Sequence, residues 1–258
     1  MYRIYLKSDF DFTLLKEPPL VCISDIDETY LRTDFRSLRG LAVTAMQLAV
    51  DRIVYPGMSA FFRALKSNPR WALYFISSSP VQLRAVMRRK FTLEEIPFDG
   101  LVLRDTLHMA LTGRAGEIRN PFGYKLYALL SLSALFPAGT RIILLGDDTE
   151  SDADVYETMR ALAAGALGRA ELERILYARG IHAGHAAGVL RSAGGVEGRS
   201  LEVAAIFIRK TSGDDRAEQP GARKDVTFFT HPSQIMRALL ERSIIGADQH
   251  DLFTRERP

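Results

Sequence analysis

Asp25 and Asp27 stand two residues apart in ISDIDET, with Thr29 two further on, directly behind an apolar run that begins at Leu20. Carboxylates that close repel one another, more strongly as they leave water, so a cation or a reacting group must offset the repulsion. Three other short stretches carry complementary chemistry. Ser77, Ser78 and Ser79 follow a second apolar run and precede Pro80, a residue suited to the first turn of a helix. Lys125 stands in FGYK, and GDDTESD supplies Asp147, Asp148 and Asp152 behind a last apolar run. Carboxylates for metal and for attack, hydroxyls for phosphoryl oxygens and an ammonium for developing charge are the groups that phosphoryl transfer uses.

For those residues to meet, the runs that precede them must be neighbouring strands. Stretches 20–24, 71–76, 100–103 and 141–145 are short and apolar and end in polar or Gly-containing turns, as strands buried on both faces do. Helical patterns lie between them at 57–66 after Pro56, at 81–90 after Pro80, and at 124–135 ahead of Pro137. The alternation predicts an α/β fold, a doubly wound parallel sheet whose ligands bind beyond the carboxyl ends of the strands.

A segment at 41–54 reads as one helix, too small to be a folded cap domain. Beyond Asp154 an Ala-rich helical stretch runs to 179, broken near Gly165 and Gly168. A Gly-rich segment, HAGHAAGVLRSAGGVEG, then a strand at 203–209, a polar loop over 210–225 and an amphipathic helix over 233–245 complete the chain ahead of a charged tail. The expected organisation is a catalytic domain over 1–209, with its motifs in 20–156, and a polar loop and C-terminal helix over 210–258 that pack on it or extend it.

On such a sheet Asp25, Asp27 and Asp147 converge. Mg²⁺ suits them, because it takes oxygen ligands and bridges carboxylates to a substrate phosphate. Asp25 can attack phosphorus. Asp27 can protonate the leaving oxygen and later deprotonate water, facing the metal through its backbone carbonyl rather than its side chain. Asp147 binds metal with Asp25, supported by Asp152 or, alternatively, Asp148. Ser77, with Thr29 and Ser78 nearby, holds phosphoryl oxygens, and Lys125 neutralises charge on the nucleophile and the transferring group. Arg104 and Asp105, at the end of the third strand, either touch substrate or form a local ion pair.

Composition narrows the partners. A net charge of +3 without a Lys/Arg block does not imply nucleic acid. The single cysteine, Cys22, excludes an intrachain disulfide and fits a reducing compartment. No apolar stretch approaches the ~18 residues of a membrane span. The expectation is a cytoplasmic protein, with the amphipathic segments at 41–54 and 233–245 packed on the domain or, as the functional alternative, in peripheral contact with a lipid surface. The oligomeric state is open.

DIDET, a serine ending the second strand, a lysine and GDDTESD are similar, in order and spacing, to the four motifs of the haloacid dehalogenase superfamily of phosphotransferases. The second aspartate, Asp27, resembles the phosphatase branch. A narrower resemblance rests on ISDIDET, YPGM at 55–58, YFISSSPVQL at 74–83, IPFDGLVLRD at 96–105, the YK pair and LLGDDTESDADVY at 144–156. Together these resemble the catalytic domain of the yeast actin-patch type phosphatidate phosphatases, over 20–156 with a weaker echo at 203–209. The resemblance implies a Rossmann-like haloacid dehalogenase fold with a minimal helical cap, and Mg²⁺-dependent removal of phosphate from phosphatidate to leave diacylglycerol. The partner would then be a phosphorylated lipid. Three positions depart from that family: Glu28 stands for Asp, Gly-Tyr precedes Lys125 where a His is usual, and Asp148-Thr149 replaces Ser-Gly. Alternatives are a phosphatase for a soluble phosphomonoester or phosphoprotein, and a non-catalytic scaffold that binds lipid or protein.

Overall fold

The four apolar runs are adjacent parallel strands, and each continues into its polar end. The structure, a computed structural model, describes residues 2–32, 53–105, 121–149, 151–211 and 225–256. Its strands are β1 (Ile4–Ser8), β2 (Leu20–Asp25), β3 (Trp71–Pro80), β4 (Gly100–Arg104), β5 (Arg141–Asp147), β6 (Glu202–Arg209) and β7 (Val226–Phe229). They form one sheet of order β1-β4-β3-β2-β5-β6-β7. Every neighbouring pair is parallel except β1 with β4. The antiparallel edge strand β1 departs from the all-parallel expectation. Its sequence, IYLKS, is half-buried throughout and so lacks the apolar run that marks the interior strands.

Alternate residues of the interior strands feed two apolar layers, as a sheet covered on both faces requires. Val21, Ile23, Tyr74 and Leu144 pack on one face against α3 (Pro121–Ser133), α4 (Asp152–Ala163), α5 (Arg169–Ala178) and α6 (Ala183–Gly194). Cys22, Leu73, Phe75 and Leu145 pack on the other against α1 (Met58–Lys66), α2 (Arg84–Leu93), α7 (Pro232–Glu241) and α8 (Ala247–Arg255). Cys22 is a packing residue: burial pushes its thiol well above its ordinary value. Helix α3 touches the sheet, α4 and α6, and is buried on nearly its whole circumference, which explains a run as apolar as YALLSL.

The break expected near Gly165 and Gly168 is present, and two other sequence expectations change. The long helical stretch divides into α4 and α5 at Gly165, whose φ of 68° ends the first helix. The Gly-rich segment is largely helical, as α6. His182 caps it by accepting from the Gly184 N–H at 3.2 Å, and its buried Ala186, Gly188 and Ala193 pack into the same layer as α3. Helix α7 stops at Glu241 rather than continuing to 245, and the charged tail forms α8. Gln249 of α8 explains that docking: its side-chain amide donates to the carbonyls of Ala64 and Leu65 at the end of α1, at 3.2 and 3.1 Å. The expected cap helix over 41–54, save its last two residues, and most of the loop over 210–225 lie outside the described residues. Among the described residues, no helix is long and apolar enough to cross a membrane.

The layer beneath α1 and α2 is aromatic. Phe75 is fully buried, stacks on Phe91 at 4.4 Å and meets the edge of Phe62 at 5.1 Å. Phe75→Ala should therefore destabilise the fold by about 3–5 kcal/mol. Urea unfolding followed by circular dichroism measures this, and a loss no larger than that of a surface substitution would contradict the packing.

Candidate active site

The order of the sheet reverses between β2 and β5, because the chain adds β3 and β4 on one side of β2 and β5 to β7 on the other. In sheets of this kind the connections leaving two such strand ends diverge, and the crevice for ligands lies at their carboxyl edge. Asp25 ends β2, Asp147 ends β5, and the register Ser24↔Leu145 sets them side by side.

Asp152 joins them from the first turn of α4, where the helix N-terminus favours a carboxylate. Its Oδ2 accepts the Asp147 N–H at 3.2 Å. Gly146 makes that approach feasible: a Cβ there would lie 2.5 Å from Asp152 Oδ2 and 2.6 Å from its Cβ. Lys125 enters from α3, with Nζ 3.0 Å from Asp25 Oδ1 and 2.5 Å from Asp152 Oδ1.

These four groups are almost completely buried, at 3% exposure for Asp25, 1% for Asp147, 0% for Asp152 and 3% for Lys125. One oxygen from each aspartate lies within 4.8 Å of the others, an all-oxygen set that can hold a metal ion. Three carboxylates and one ammonium leave a formal charge of −2 (−3 + 1), which one hard divalent cation would cancel. Without a cation Asp25 and Asp147 resist ionisation. Burial raises Asp25 well above the usual carboxylate range against the pull of Lys125, and the charges of Asp152, Asp147 and Asp27 add to the rise. Burial and then Asp152 push Asp147 up to about 7, against Lys125 and the hydrogen bonds from Thr149. The Thr149 N–H donates to Asp147 Oδ1 at 2.7 Å, and its hydroxyl bonds the same oxygen.

Asp27 goes elsewhere. The turn after β2 is tight: Glu28 holds a left-handed φ of 58°, its N–H donates to Leu31 O at 2.8 Å, and the Tyr30 N–H donates to Ile26 O at 3.0 Å. Asp27 Oδ2 accepts the hydroxyls of Ser77 at 3.1 Å and Ser79 at 3.2 Å. A register shift between Ser77 and Pro80 bends the end of β3 there, and Ser77 Oγ also accepts the Ser79 N–H at 3.0 Å. Tyr124, beside Lys125 on α3, donates to Ser77 O at 2.8 Å and so links the two groups. Thr29 Oγ1 and Ser78 Oγ are shielded from solvent and have no hydrogen-bond partner among the described residues.

The remaining sequence candidates fall at the margin. Arg104 is buried with its guanidinium 5.0 Å from the Tyr124 ring and 6.0 Å from that of Tyr2. Half-buried Asp105 donates its N–H to Arg3 O at 3.1 Å. Of the two aspartates left open by the sequence, Asp152 lies in the cluster, whereas Asp148 accepts from the N–H and hydroxyl of Thr211 at 3.0 and 2.5 Å. Sequence reasoning gave no role to Tyr124, Gly146 or Arg209, and named Ser79 only within its serine run. Tyr124 and Gly146 lie inside the quoted motifs FGYK and GDDTESD, which was the available signal.

Residues 20–166 match the family described as phosphatidate phosphatase APP1, catalytic domain. An uncharacterized protein of Schizosaccharomyces pombe is 30% identical over 142 residues, which are 54% of this chain and 22% of that protein. The chain thus spans about a fifth of the length of the curated relative it matches. No solved structure matches.

The folded carboxyls retain protons that the unfolded chain releases, so metal-free protein loses stability as pH rises from the ordinary value of 3.8 through about 7. A divalent cation competes with those protons, so saturating MgCl₂ should raise the melting temperature more at pH 8 than at pH 5. Thermal melts at both values measure this, and an increment that is nil or equal at the two would contradict it. Gly146→Ala, which displaces Asp152, should raise the MgCl₂ concentration needed for half of that increment at least about tenfold when the salt is titrated at pH 8.

Proposed function

Because the chain belongs to the family of the phosphatidate phosphatase APP1 catalytic domain, a phosphoric monoester hydrolase family, we propose that it hydrolyses a phosphomonoester with Mg²⁺ through an aspartyl-phosphate, with phosphatidate as substrate and diacylglycerol as product. The observation that carries this reading is the buried set of Asp25, Asp147, Asp152 and Lys125 at the switch point of the sheet, all within the matched residues. The order of the motifs, the mixed α/β sheet and this placement also support a haloacid dehalogenase type of fold and chemistry.

In this reading Asp25 Oδ attacks phosphorus and the bond from phosphorus to the leaving oxygen breaks. Asp27 gives that oxygen its proton. Water then attacks the phosphorus of the aspartyl-phosphate, Asp27 takes the water's proton, and inorganic phosphate leaves with Asp25 restored. Asp25, Asp147 and Asp152 would hold Mg²⁺, with the Asp27 carbonyl as a further ligand, and the ion would screen the carboxylates and the phosphate from one another. Lys125 balances charge on Asp25 and on the transferring group. Ser77 and Ser79 aim the Asp27 carboxyl, and Ser77, with Ser78 and Thr29 nearby, would hold phosphoryl oxygens. Arg104 and Asp105, at the end of β4, would touch substrate. Positive net charge suits an anionic lipid surface, so the working site would be cytoplasmic and peripheral to a membrane.

Phosphate release from phosphatidate in detergent micelles and from p-nitrophenyl phosphate, with Mg²⁺ and with EDTA, tests the proposal. Asp25→Asn should cost at least about 10³-fold in kcat and Asp27→Asn about 10²–10⁴-fold, both with an unchanged circular dichroism spectrum. Release from the soluble ester alone would keep the chemistry and discard the lipid. Undetectable turnover on both would discard the enzyme.

A further inference from the structure

Arg209 is the last residue of β6, outside the stretch 20–166 that carries the family match. It is only 3% exposed, and a buried guanidinium is costly unless its donors are met. Nε donates to Thr29 O at 3.0 Å and Nη1 donates to Thr230 O at 2.9 Å. The guanidinium carbon lies 4.1 Å from the Tyr55 ring centroid and 4.7 Å from that of Phe229. Nη2 has no hydrogen-bond partner among the described residues.

The carbonyl it grips belongs to the turn that begins at Asp25 and carries Asp27. Tyr55 holds that turn a second time, donating its hydroxyl to Glu28 Oε2 at 2.6 Å, at the residue with left-handed φ. On the other side, Arg209 is the register partner of Asp147, and its carbonyl accepts the Asp148 N–H at 3.1 Å. One residue therefore joins the ends of β5, β6 and β7 to the turn after β2.

We infer that Arg209 is a positioning residue of the active site: packed against Tyr55 and Phe229, its guanidinium holds the Thr29 carbonyl and so fixes the turn that presents Asp25 and Asp27. What the turn does rests on the phosphatase reading above; how it is held does not. Two N–H groups aimed at separate carbonyls, on a plane that stacks against rings, are features of arginine that lysine cannot reproduce. A catalytic carboxylate displaced by about 1 Å can cost about 10²-fold in rate without any loss of substrate contacts.

The test compares wild type, Arg209→Met and Arg209→Lys in two measurements. Hydrogen exchange followed by mass spectrometry reports peptides covering residues 25–31 against the rest of the chain. Steady-state hydrolysis of p-nitrophenyl phosphate with Mg²⁺ separates kcat from KM. Arg209→Met should speed exchange selectively at 25–31 and lower kcat by about 10²-fold, leaving KM nearly unchanged. Arg209→Lys, which keeps the charge and one donor, should restore part of both. A folded Arg209→Met with wild-type kcat and no selective exchange, whatever its melting temperature, would reduce Arg209 to a packing residue. Should the Met variant not fold, Arg209→Lys decides: intermediate exchange and kcat uphold the inference, and wild-type values of both overturn it. Selective exchange in the variants of a wild type that turns over no phosphoester would uphold the grip on the turn and remove the phosphatase reading instead.

Discussion

Three carboxylates share one buried space with a single ammonium, and the rest of the structure is arranged around that imbalance. In a low-dielectric interior, like charges a few ångströms apart interact far more strongly than in water. Lys125 cancels one charge of the three. The remainder is met by protons, which is why Asp25 and Asp147 hold theirs so far above the usual range, or by a cation. Either occupant must arrive from the crevice, because the apolar layers on both faces of the sheet admit neither. The charge that lowers stability at neutral pH is thus the one that would recruit the metal.

The same logic separates two aspartates only two residues apart. Asp25 faces the cluster and Lys125, whereas the turn at Glu28 sends Asp27 to the serines at the end of β3. One environment keeps its carboxylate among ions; the other gives its carboxylate neutral hydroxyl partners. Differing surroundings would let the two carboxyl groups serve, in the proposed reaction, as nucleophile and proton donor. Tyr124 spans the two groups, its neighbour Lys125 reaching the cluster while its own hydroxyl supports Ser77. A one-residue slip of α3 relative to the sheet would undo both contacts at once.

The strands that carry the site were legible because parallel strands buried on two faces leave uninterrupted apolar runs, and the polar residues that end those runs are the ones the sheet brings together. Half-buried β1 leaves no such run, and the glycines of α6 hid a helix whose stability comes from close packing. The choice between Asp148 and Asp152 was unreadable for another reason. Both follow β5 within a few residues, and only the start of α4 and the missing side chain at Gly146 decide which one turns inward. Arg209 was beyond reach: an arginine ending a strand is unremarkable, and its partner Thr29 lies 180 residues away.

That distance bears on what the matched stretch 20–166 can do by itself. Ending the sheet at β5 would leave the strand that carries Asp147 as an open edge, its outer N–H and C=O groups unpaired. It would also strip the layer over α1 of Phe207, Ile235, Met236, Leu239 and Phe253. The residues beyond 166 therefore complete the scaffold as well as gripping the turn at Thr29. The chemistry is concentrated in motifs close to β2, β3 and β5, but the rigidity it requires is supplied by β6, β7, α7 and α8. A relative that shares only the motifs must find the same support in some other segment of its chain.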